Sequence, residues 1–165
     1  YRWVSRVSSQ SLPENAVTGG RDTDGSKLYV GRAFHDGDML PAKVIPDKGV
    51  AYVCHNGEEH PKDNYEVLVQ GEFAWEFCNN GEVPEDAIIA GQTADGEPLY
   101  VGRVLHSGSQ TIGKAGHAKI RELRPRSDER LVELRAAAIR RRCLFTLSCH
   151  PFDIVAVAGS RFRFG

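Results

Sequence analysis

The chain has 165 residues, 41% hydrophobic and 26% charged, with a formal net charge of −1. That is one domain's worth of ordinary globular composition. No run approaches the ~18–20 apolar residues of a helical membrane span, and no charged-then-apolar leader opens the chain at Tyr1. The near-zero total hides a split. Residues 1–114 carry 10 Lys+Arg against 17 Asp+Glu, whereas residues 115–165 carry 11 against 5. An acidic main part opposes phosphate binding, so nucleic acid is not an expected partner.

In chain order, the turn signal DTDG at 22–25 precedes KLYVGRAFH, which reads as a strand with Leu28–Val30 at its heart. HDGD is the next turn, PAKVIP leads on, and GVAYVCH is a second strand. NGEEHPKDN reads as a polar loop. NYEVLVQG then closes the unit as an alternating strand with Tyr65, Val67 and Val69 on one face. Gly31 and Gly102, inside strands, predict bulges or close backbone approach. EFAWEF and CNNGEVPEDA follow.

The chain then repeats itself. Residues 11–43 align without a gap with 82–114, at a constant offset of 71, and 14 of the 33 positions are identical. The central match is LYVGR, at Leu28–Arg32 and Leu99–Arg103. Two copies of one unit predict an all-β fold of antiparallel sheets related by a pseudo-twofold. The organisation expected is a first unit at 1–71, the start of a second at 72–114, and a divergent Arg-rich tail at 115–165. In the tail, Ser127 as a cap, Asp128 and Glu129 at an N-terminus and Arg140–Arg142 at a C-terminus predict a helix over about 127–142. The divergence is either a genuine replacement or a reading-frame or exon-boundary artefact that substitutes foreign residues for the missing strands.

The units WVS…LPENAV.GG.D.DG..LYVGRA.H.GD..PAKV…NGEEH…NYEVLV and VPEDAI..GQTADGEPLYVGR..HSG…GK resemble tandem DM-nine (DM9) repeats, over roughly 3–114. That family includes invertebrate mannose-binding lectins of innate immunity without enzymatic activity. The same repeat occurs in natterin-like pore-forming proteins, although the last 51 residues here are short and unlike their pore-forming segment. The resemblance implies mannose-type glycans as partners and a carbohydrate site at Asp22, after the GG turn, and Lys43, of the P-A-K step. Asp38, in the HDGD turn, is a third candidate.

The chemistry of that trio stands without the family. A hexose presents hydroxyls that both donate and accept; a carboxylate accepts from two of them and an ammonium donates. Asp22, Asp38 and Lys43 are expected to hold one another in place, and the bland alternative is a set of exposed turn charges. The second copy has Thr93 and Ser109 where the first has Asp22 and Asp38, and it keeps Lys114 for Lys43. It is expected to bind sugar weakly or not at all, with Lys114 structural. Arg32 and Arg103 read as structural ion-pair or backbone contacts, and Trp3 and Trp75, one residue out of register between the units, as core or pseudo-symmetric interface. His35, His106, His55 and His60 read as structural rather than as a metal cluster.

No nucleophile elbow, P-loop or His-Glu metal motif is present, so no catalytic residue, cofactor or metal is expected. The four cysteines form no CxxC pair and are expected reduced. The expected location is cytoplasmic, with release to the extracellular space without a signal peptide as the variant of that reading. Weak single sites favour a homodimer, through avidity. The alternatives to a lectin are a non-catalytic protein-interaction scaffold and the N-terminal module of a pore-forming protein.

Overall fold

The structure is a computed structural model that describes residues 1–71, 73–78, 83–115 and 136–141. Within them the chain is all β. The first unit runs β1 (Arg2–Val7), β2 (Thr18–Arg21), β3 (Lys27–His35), β4 (Asp38–Ile45), a 3₁₀ turn at Pro46–Lys48, β5 (Val50–His55), β6 (Glu58–Lys62) and β7 (Asn64–Val69). The second runs β8 (Phe73–Cys78), β9 (Ile89–Gln92), β10 (Pro98–His106), β11 (Ser109–Ala115) and β12 (Ala136–Arg141). No helix of the described residues is long and apolar enough to cross a membrane.

Local chemistry explains the hairpins. β3 spans the expected KLYVGRAFH, and its turn into β4 puts Asp36 and Gly37 at φ 49° and 89°. Two left-handed residues in a two-residue loop match the right-handed twist of the flanking strands. Ser107-Gly108 does the same between β10 and β11. Asn56-Gly57 is a third such turn, and it overturns one expectation. The polar stretch after it is not a loop: Glu58–Lys62 pairs with β5 as β6. The Asn-Gly turn sets the register, and Pro61 is tolerated because, among the described residues, β6 pairs only with β5 and so lies at a sheet edge.

All the described strands belong to one antiparallel sheet ordered β1-β7-β3-β4-β9-β10-β12-β8, with β2 on β3, β5 on β4, β6 on β5 and β11 on β10. The first unit joins the second where Met39 faces Gln92. The pairing scheme recurs between units. β7 lies between β1 and β3, with Gly31 opposite Val67. β12 lies between β8 and β10, with Gly102 opposite Ala138. Gly31 is a close approach, as expected: a Cβ there would meet Val44 Cγ2 at 2.5 Å and the Glu66 carbonyl oxygen at 2.9 Å.

The helix expected over about 127–142 is corrected at 136–141, which is β12; the rest of that span lies outside the described residues. Helix propensity is worth only tenths of a kcal/mol per residue, whereas the edges of β8 and β10 offer a ladder of main-chain hydrogen bonds. The larger core cluster draws on both units: Leu28, Val30, Ile45 and Leu68 pack with Ile88, Ala90, Val101 and Ile112, flanked by Trp3 and Trp75. Tyr65, Val67 and Val69 are buried as expected, and Leu68 on the other face of β7 is buried too.

Candidate functional site

The β2–β3 turn positions Asp22. Its backbone N–H donates to the Ser26 carbonyl and its own carbonyl accepts from Gly25. The second unit closes the same turn with Thr93, through Thr93 N–H to Glu97 and Gly96 N–H to Thr93. A carboxylate is therefore not needed for the turn itself. The Asp22 side chain accepts from Thr23 N–H at 2.9 Å and from Lys48 Nζ at 2.9 Å. Lys48, from the 3₁₀ turn, also reaches Asp24 at 2.8 Å. The Lys48 ammonium, helped by Thr23 N–H, pulls the Asp22 carboxyl below its usual value. Asp24 is lowered by Lys48 and by Ser26, and Lys48 is raised by both carboxylates. This is a charged, solvent-accessible cluster with lone pairs to spare.

Lys43 lies on β4 between Val30 and Tyr52 in the ladder. Its Nζ donates to Glu59 Oε1 at 2.7 Å and stands 5.4 Å from the centroid of the Tyr52 ring. The Lys43 side chain is largely covered, whereas Glu59 is half exposed. Ammonium, carboxylate and ring thus meet at one point, with Glu59 its exposed member. Lys114, read from sequence as structural, is exposed and holds no ion pair among the described residues.

Asp38 has a different task. Its Oδ1 accepts from the Ala94 N–H at 2.8 Å, across to the second unit's turn, and only 13% of its side chain is exposed. Ser109, at the matching position, donates to the Arg21 carbonyl at 3.2 Å. Each hairpin tip thus latches onto the other unit's turn. No hydrogen bond or ion pair among the described residues joins Asp22, Asp38 and Lys43, so the expectation that the three hold one another is not met. Sequence reasoning missed Lys48, Glu59 and Tyr52. Their only signal was charge and aromaticity in the PDKG and NGEEH segments and in β5, because the partners are 9 to 26 residues apart.

Three imidazoles gather behind the β3–β4 tip. His35 stacks on His60 with centroids 4.2 Å apart, and His55 stands edge-on to His35 at 5.2 Å. Lys62 Nζ donates to His35 Nδ1 at 2.9 Å, which requires that nitrogen to be unprotonated. Burial lowers the His35 pKa, and Lys62, His60 and His55 lower it further. Among the described residues His55 Nδ1 is buried without a hydrogen bond, 3.9 Å from Asp38.

Arg32 and Arg103 make the expected structural contacts, an ion pair with Glu66 for Arg32 and backbone contacts for both, and the backbone contacts cross the seam between units, which was not expected. Arg32 Nη1 donates to the Ala90 carbonyl at 3.4 Å and Arg103 Nη1 to Gly19 at 3.1 Å, a reciprocal pair 71 residues apart. Each guanidinium lies over its tryptophan, Arg32 on Trp3 and Arg103 on Trp75. Cys54 is a free thiol whose pKa burial raises. A family model described as the DM9 repeat matches residues 22–121. Comparison with curated proteins gives no significant match.

Proposed function

Because the chain belongs to the DM9 repeat family, we propose that it is a carbohydrate-binding, lectin-like protein whose site lies in the first unit and recognises mannose-type glycans. The observation that carries the reading is the Lys43–Glu59 pair beside Tyr52, with the Asp22–Lys48 cluster in the same unit. Lys43 donates to ring hydroxyls, Glu59 and Asp22 accept from them, and the Tyr52 ring offers an apolar face. Asp22 spends one lone pair on Thr23 and one on Lys48, so about two remain for a ligand. Charge-assisted bonds of this kind hold a sugar in a shallow, wet site. Asp38 enters as a positioning residue, fixing the β3–β4 tip against Ala94.

The second unit supports a one-sided site, since Thr93 and Ser109 replace the two carboxylates. A role in innate immune recognition, a homodimer that multiplies weak sites, and activity without catalysis complete the proposal. Binding to immobilised mono- and oligosaccharides tests it, for the chain and for Asp22→Ala and Lys43→Ala. Mannose-selective retention that falls at least tenfold in either variant supports the site. A folded chain that binds no glycan favours a protein-interaction scaffold, a reading to which the separate partners of Asp22 and Lys43 lend weight.

A further inference from the structure

The two units treat the same arginine differently. In the first, Glu66 stands opposite Arg32 in the β3–β7 ladder and accepts from its Nε. In the second, Arg103 stands opposite Ala137 in the β10–β12 ladder. The surroundings match: Trp75 faces Ile139 in register as Trp3 faces Leu68. The guanidinium carbons lie 4.6 and 4.3 Å from their ring centroids, and both Nη1 atoms donate across the seam. One group is orphaned. Among the described residues Arg103 Nε is buried without a hydrogen-bond partner, and the sequence has an alanine at the ladder position where the first unit has Glu66. Burial pushes the guanidinium's pKa down, the mark of a desolvated donor.

We propose that the slot between β8 and β10 is a receptor for an extended acidic strand of another polypeptide, which displaces β12 and sets a glutamate opposite Arg103. The chemistry of the occupant is read from β7, where Glu66 is flanked by the buried Tyr65 and Val67. At the corresponding positions β12 has Ala136, Ala137 and Ala138, the smallest side chains a strand can bring. β12 pairs β10 over two residue pairs and β8 over six, the ladder that β7 makes with β3 and β1, so the slot already has the shape that receives a β7-like strand. Main-chain bonds to the two edges supply affinity, and Arg103 supplies selectivity for acid, as in strand-addition recognition.

The probe is a fluorescein-labelled peptide of the chain's own residues 64–70, NYEVLVQ, titrated into the intact protein and followed by anisotropy. Saturable binding is expected, weakened at least tenfold in the peptide carrying Glu66→Ala. It is weakened as much in the Ala137→Glu protein, whose own strand then supplies the acceptor, and that variant melts at a higher temperature. The peptide comparison uses the unmodified chain, so it does not depend on how a variant folds. Three results overturn the proposal: no saturation up to the mM range, about the effective concentration of a tethered strand; equal affinity for the two peptides; or undiminished binding by Ala137→Glu.

Discussion

Gly91→Ala tests whether the two units form one interlocked body. A Cβ at Gly91 would lie 1.9 Å from the Met39 carbonyl oxygen and 2.7 Å from its carbon. Those atoms are main chain, so no rotamer change relieves the overlap, and β4 and β9 must separate by more than an ångström. Separation strains the Met39–Gln92 pairing and the Asp38–Ala94 hydrogen bond beside it. A charge-assisted bond of this kind is worth about 1.5–3 kcal/mol, and overpacking a close contact adds about 1–3 kcal/mol. The expected loss is therefore roughly 3–5 kcal/mol, a large fraction of the stability of an ordinary domain. Urea unfolding followed by tryptophan fluorescence measures it, with a midpoint shift of about 1–3 M. Gly113→Ala is the control: nothing lies within 4 Å of its added Cβ, and it should shift stability by about 0.5 kcal/mol or less. A Gly91→Ala protein as stable as the Gly113→Ala control would show that the seam is not close-packed and refute the argument.

Glu66→Ala should place Arg32 in the state Arg103 already occupies and cost about 1–3 kcal/mol; a double-mutant cycle with Arg32→Met isolates the pair, and zero coupling would disprove it. Asp22 and Asp24 have lowered folded pKa values, so their contribution is present above the ordinary carboxylate value, near about pH 4, and is lost as pH falls through the folded values. Thermal melts from pH 6 to pH 2 should show that loss shrink in Lys48→Met; an unchanged profile would count against the cluster. His35 also has a lowered folded value, which means that its neutral form stabilises the fold above its ordinary pKa, about 6.5, and that acidification through that region weakens the β5–β6 hairpin. Hydrogen exchange at Tyr52 to His60 at pH 7 and pH 5 reads this directly, and equal protection would rule it out.

What the sequence determined by itself is local. The repeat, the β3 boundaries, the two-residue turns and the buried stripe of β7 follow from turn chemistry and side-chain alternation, and both act over a few residues. Even the missed β6 carried its signal, an Asn-Gly pair ahead of it. The tertiary structure alone decided three things. Lys48 rather than Lys43 meets Asp22, and Lys43 meets Glu59, because sheet register brings together residues far apart in the chain. Asp38, Arg32 and Arg103 bond across to the other unit, which no single repeat can reveal. Residues 136–141 form a strand although their composition favours a helix. A helix satisfies its own main chain, but two open strand edges in the second unit require a partner, and the demand of those edges outweighs a weak local preference.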